Sequence, residues 1–520
     1  MALAPLTVGE EDVSILLTAV SQLNLAGPEA VQDKSQNALV ANLNLRAGKK
    51  AMEMSDFEAA YSCFDNGISF LRKKHWNEHY TLSLELFNLA AKCAHTNGDF
   101  VSLQILSQQV LRKAQSFQDK LNVMYFATCA LSYSSELPES IDKGLDILSK
   151  LGIELRGCDL RGMEACVQET KDLLSGYADD EILNTRPMTD PNMIMAMKFL
   201  GKLETGMTQI MPKSAPFVAQ QIIQLSLSHG MSPVSPIGFV HFGSYIAKLG
   251  DISGGYHYVK LALSLLDKVG SRESAGEVIC YGTEVRSYVE PLQATLEYHN
   301  EGYAAAMTSG DVIQAAVNSM LSCLNSVFAG VNLQLMRDKY AEAVKFVEER
   351  KLVVFKVQTQ TQQRSVLRLI GTDEEVTQVS AEEQNILATN NSVMASYYFQ
   401  GTYTSFIFRS YDGTKENIEK YLACIGNTWA NLFLAHAYHA FYIGLVSFWL
   451  ARKSREEQQW HQRGNTSKLA LKRWTESSQW SFENKWYLLE AEESFCNNDY
   501  EEAKAYYEKA ISSAKNHKVR

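Results

Sequence analysis

Apolar side chains recur along this chain at helical spacing. Leu39, Leu43, Ala47, Ala51 and Met54 fall on one stripe of an amphipathic helix. A second stripe, Phe57, Ala60, Phe64, Ile68 and Leu71, starts at once, with only "SDF" at 55–57 to supply a turn. A connection this short forces the two predicted helices to lie antiparallel.

The same turn returns as "GDF" (98–100), "GDI" (250–252), "GDV" (310–312) and "NDY" (498–500), each ending one apolar helix and beginning another. Mostly small residues follow at fixed offsets. Ala60, Leu103, Gly255, Ala315 and Ala503 hold one position, and Gly67, Val110, Ala262, Ser322 and Ala510 hold a second. Small side chains there let paired helices approach closely. This is the grammar of the tetratricopeptide repeat (TPR), and "NNDYEEAKAYYEKAI" (497–511) is its cleanest copy. The other copies are degenerate and unevenly spaced. The expected fold is therefore all-α, an irregular TPR-like α-solenoid of antiparallel helix pairs with a concave and a convex surface.

Proline and glycine punctuation at "NTRPMTDPNM" (184–193) and "SHGMSPVSPIG" (228–238) suggests where the array is divided. The expected organisation is a helical lead-in over 1–35, left from an upstream domain, followed by repeat arrays over 36–183, 184–370 and 371–520. "LVVFKVQTQTQQRSV" (352–366) is β-branched enough to pass for a strand but has no pairing partner nearby, so it is read as helix.

Composition narrows the function classes. With 49 basic against 59 acidic residues and a net charge of -10, no global cationic field exists to hold nucleic acid. The nine cysteines are scattered without a CxxC, so they read as core residues in a reducing compartment. The N-terminus lacks a basic region before its short apolar run, which argues against a secretory signal and makes the cytoplasm the expected location. "WANLFLAHAYHAFYIGLVSFWL" (429–450) is long enough to span a bilayer, but it carries Asn431, His436 and His439, so a buried solenoid helix is expected and no membrane contact.

From "LNLRAGKKA" (43–51) through "SDFEAAYSCFDNGISFL" to "HWNEHYTLSLELFNLAAKCAHTNGDF", the chain resembles the helical-repeat region that follows the STAND/AAA-type signal-transduction ATPase domain of large multidomain serine/threonine–histidine kinases. "LDILSKLGIEL", "LSLSHGMSPVSPIGFVHFG" and "GGYHYVKLALSLLDKVGSRES" extend the likeness over roughly 14 to 520. The resemblance implies packing motifs and a regulatory scaffold, and no reaction. It also leaves open that the chain is a fragment of a larger ATP-dependent kinase. No GxxxxGK[ST] loop and no HRD or DFG set occurs in the sequence.

Among candidate sites, His75 and His79 of "HWNEH" have the spacing of a zinc pair, but the setting favours a helix boundary packed between repeats. His436 and His439 read as core histidines. The basic strip at 452–474, with Trp460 and Trp474 interleaved, reads as a mobile loop between helices. Arg46, Lys49 and Lys50 form one cationic helix face, which reads first as a solvated face and otherwise as a clamp for a carboxylate or phosphate of a partner on the concave side. The expected partner is a protein or peptide in a concave groove, with no catalytic residue, no cofactor and no nucleic acid, and with oligomeric state left open.

Overall fold

A computed structural model describes residues 13–31, 34–132, 136–155, 162–372, 379–428, 433–453 and 457–517. Of the segments named above, 1–12 and 32–33 in the lead-in, Cys158, 429–432 and 454–456 lie outside the described residues. The described chain is all-α: helix follows helix, and the β-pairing present is an isolated bridge between Pro187 and Met231. Contacts divide it into two units, Met1–Ile147 with Met307–Val312, and Leu148–Ala306 with Ile313–Arg520.

Four of the five predicted turns form by one local device. Ser55, Gly98, Gly250 and Asn498 take positive φ (60°, 73°, 102° and 62°), and the next amide reaches back to close the preceding helix. Asp56 N–H donates to Ala51 O (2.9 Å), Asp99 N–H to Ala94 O (2.9 Å), Asp251 N–H to Ile246 O (3.2 Å) and Asp499 N–H to Ser494 O (2.9 Å). That is a Schellman ending. The same aspartate then caps the next helix, its carboxylate accepting from Ala59, Ser102, Gly254 or Glu502 N–H at 2.9–3.0 Å. One dipeptide thus terminates one helix and starts another.

Two further hairpins use this backbone without the aspartate. Lys351 (φ 57°) precedes Leu352, whose N–H donates to Val347 O, and Arg409 (φ 59°) precedes Ser410, whose N–H donates to Ser405 O, both at 2.9 Å. The letters there gave no turn motif. The positions expected to be small are buried in every copy, Leu103 and Val110 included. At one close crossing, a Cβ on Gly255 would lie 2.6 Å from Gly243 O, so Ser235–Lys248 and Ile252–Val269 meet backbone to backbone.

The first stripe is buried at its centre, through Leu43, Ala47 and Ala51. Its ends are not: Leu39 and Met54 are 45% and 58% exposed. "LVVFKVQTQTQQRSV" is helical, within Val353–Ile370. The basic strip corrects the sequence reading. Its described residues from 457 onward form the helix Glu457–Ser477, with Trp460, Gly464, Ser467, Leu471 and Thr475 buried on one face. Those positions keep helical spacing, and the charges between them masked it. The apolar segment contributes Ala435–Ala451, packed inside the second unit, and no helix of the described residues is long and apolar enough to cross a membrane.

Candidate functional site

Arg46, Lys49 and Lys50 all lie on the helix Lys34–Glu53. Lys49 Nζ stands 2.6 Å from Glu85 Oε1 and Lys50 Nζ 2.8 Å from Glu53 Oε2, both as surface ion pairs, while Arg46 is half-buried. The pair at 75 and 79 is split between elements: the helix His75–Glu78 ends at His79, where the backbone (φ -137°, ψ 51°) breaks before Tyr80–Thr96. His75 Nδ1 is 2.9 Å from Ser83 Oγ, its ring stacks on Phe87, and burial lowers its pKa. Among the described residues no group of three or more His, Cys, Asp or Glu side chains is placed to hold a metal ion.

His439 is a core residue, 2.9 Å from the Tyr421 hydroxyl and stacked on Phe399 at 3.7 Å. Burial pushes its pKa down to about 3. His436 lies edge-on to Trp474.

The second unit holds two buried polar networks that no motif announced. In the first, the Tyr245 hydroxyl donates to Glu204, His241 lies 3.3 Å from Glu204 and 2.8 Å from Glu277, and Thr205 Oγ1 donates to Glu277 at 2.9 Å. Burial drives the Glu204 pKa up to about 7. Burial also opposes charge on His241, but Glu204 and Glu277 outweigh it and hold the imidazole above its ordinary value. In the second network, Glu284 accepts from His299 Nε2 (2.9 Å), Asn325 Nδ2 (2.9 Å) and the Leu434 amide (2.7 Å). Glu204, His241, Glu277, Glu284 and His299 are at most 4% exposed, so the acid–base groups are sealed and cross-brace neighbouring helices.

The accessible polar site lies elsewhere in this unit. A cleft of about 760 Å³, counting the solvent at its mouth, runs along Val353–Ile370 and Asn391–Ile407, with Asn417 of Tyr411–Cys424 at one side. Thr361, Arg364, Ser365 and Arg368 line it from the first helix, and Tyr397, Gln400, Thr404 and Ser405 from the second. Each set keeps the three- and four-residue steps of one helix face. At Gly401 the helix Asn391–Ile407 comes close to Asn417: a Cβ there would sit 2.4 Å from Asn417 Oδ1 and displace that side chain.

Most polar groups in this region are closed locally. Thr361 Oγ1 donates to Val357 O and Thr404 Oγ1 to Gln400 O, both at 2.8 Å. Ser365, Gln400 and Ser405 differ: they are 6%, 9% and 5% exposed, line the cleft, and bond through their side chains to no other described residue. None of their polar atoms is both buried and orphaned, so these side chains reach the cleft, where water or a ligand completes their bonding. The sequence carried one signal for this. "QTQTQQRS" (358–365) is polar at every position within a helix, yet Gln358, Thr359, Thr361, Gln362 and Ser365 are all buried.

No family model and no curated protein sequence matches the chain. Among solved structures, a Rap protein crystallised in complex with competence and sporulation factor is similar at 11% identity and a TM-score of 0.44, over 78% of this chain and 100% of that one.

Proposed function

We propose that this chain is a non-catalytic protein-interaction module, which holds a peptide segment of a partner in the cleft along Val353–Ile370 and Asn391–Ile407. The observation that supports it is the set of polar side chains that line that cleft and bond through their side chains to no other described residue, Ser365, Gln400 and Ser405. An extended peptide brings one donor and one acceptor per residue, which is what such walls lack. The sealing of the Glu–His networks favours a structural role for them over acid–base catalysis.

On the family resemblance, the module would act in the cytoplasm within a signalling ATPase or kinase system. There it would restrain a neighbouring domain until its partner binds one state better than the other. Arg46, Lys49 and Lys50 would add a second, weaker contact in the first unit, after Lys49 and Lys50 exchange their present carboxylates for the partner's.

A photo-reactive benzoylphenylalanine at Tyr397 tests the reading in cells. Irradiation is expected to yield a discrete adduct with another polypeptide, absent when the same label replaces Lys345, an exposed residue outside the cleft. Equal labelling from both positions, or none from Tyr397, overturns the assignment.

A further inference from the structure

Resting on that reading, we infer that the cleft selects an acidic peptide: an extended stretch of about three residues whose carboxylate lies against Arg368. Charge provides the first argument. Two guanidinium groups line the cleft, and one is already committed, since Arg364 Nη2 stands 2.5 Å from Glu383 Oε1. Glu383 is in turn fixed in place, its other oxygen accepting from the Ser380 amide at 2.8 Å in the cap of Ala381–Thr389. Arg368 is exposed, rests against the Phe408 ring at 5.6 Å, and forms no ion pair among the described residues. Among the described residues no carboxylate lines the cleft. A guanidinium fork matches a carboxylate with two parallel hydrogen bonds.

The walls supply the second argument. Beside Arg368, the hydroxyls of Ser365 and Ser405 and the amide of Gln400 can each donate or accept, the mixture that a peptide backbone needs and a lone anion does not. Dimensions agree. From Thr361 to Arg368 the helix rises by about 10 Å at ~1.5 Å per residue. An extended chain at ~3.3 Å per residue covers that length with about three residues.

The net charge of -10 opposes an acidic ligand at long range. At physiological ionic strength fields fade over about 8 Å, so remote charges are largely screened and the contact at Arg368 decides. A single uncommitted guanidinium also suits a monoanionic carboxylate better than a phosphate, which carries up to about two charges. The carboxylate can come from an Asp or Glu side chain or from a free C-terminus, and the test separates the two.

The test uses the full chain, a positional-scanning library of fluorescent octapeptides made both amidated and with a free C-terminus, and anisotropy in physiological salt. Wild type is expected to select either peptides acidic at one fixed position or those with the free terminus. The R368Q variant should weaken the selected peptide by about tenfold or more, without moving the melting temperature, since Arg368 is exposed. R368K should retain part of the binding, having charge but no fork. Selection of neutral peptides, or acidic peptides held equally by R368Q, overturns the acidic subsite and leaves the interaction module standing. A library from which wild type selects nothing removes both.

Discussion

Glu284 is 1% exposed and accepts three hydrogen bonds from three elements: His299 on Leu292–Ser309, Asn325 on Val312–Phe328, and the amide of Leu434 at the entry to Ala435–Ala451. Its loss would strand three buried donors. Glu284→Leu is therefore expected to destabilise the second unit by about 3–5 kcal/mol, the range for breaking a buried charged network by removing one partner. A lowered urea midpoint at unchanged slope is the expected observation, and an unchanged midpoint would remove the bracing role. Glu284→Gln keeps the shape but sets a donor against donors, so a smaller loss of the same sign is expected. None of this was visible in the sequence, where Glu284 is one acidic letter on a helix. His439 was visible as a core residue because its neighbours at 437, 438 and 441 are apolar or aromatic.

At the scale of elements, the hairpins separate a backbone device from the letters that reinforce it. The Schellman turn at Lys351–Leu352 and Arg409–Ser410 forms without aspartate, so helix termination there rests on αL geometry and packing. Where the aspartate is present it adds a cap. Asp499→Ala is expected to cost about 1 kcal/mol. Ser410 has no side-chain cap bond, and Ser410→Asp should recover about 0.5–1 kcal/mol. Thermal melts of the two variants check the opposite signs. The aspartate turns were legible because they are two-residue, local structures. The helix Glu457–Ser477 was misread because its apolar stripe is narrow, and its inward-facing charges are met by carboxylates distant in sequence, Lys468 by Glu490 and Glu493.

At the scale of the whole molecule, buried titratable groups set opposite pH slopes. His439 stays neutral down to about pH 3, against an ordinary 6.5 when unfolded. Its contribution is present above pH 6.5 and is lost as pH falls from 6.5 towards 3. Glu204 keeps its proton to about pH 7 against an ordinary 4.5, so its contribution is present below 4.5 and is lost as pH rises through 7. The two slopes cancel between about pH 4.5 and 6.5, so the melting temperature should fall on both sides of a mildly acidic plateau. His439→Phe is expected to flatten the acid limb and Glu204→Gln the upper one; parallel curves for variant and wild type would contradict these assignments. The sequence by itself determined the all-α class, the aspartate-marked turns and the small positions at helix crossings, because helical periodicity and capped turns are written in residues a few places apart. Only the tertiary structure decided that Gln358, Thr359, Thr361, Gln362 and Ser365 of the polar run are buried, that Arg364 is paired with Glu383 while Arg368 is exposed, and that five Glu and His side chains are sealed in two networks. Burial and charge pairing depend on which distant helices stack, and that arrangement has no local signature.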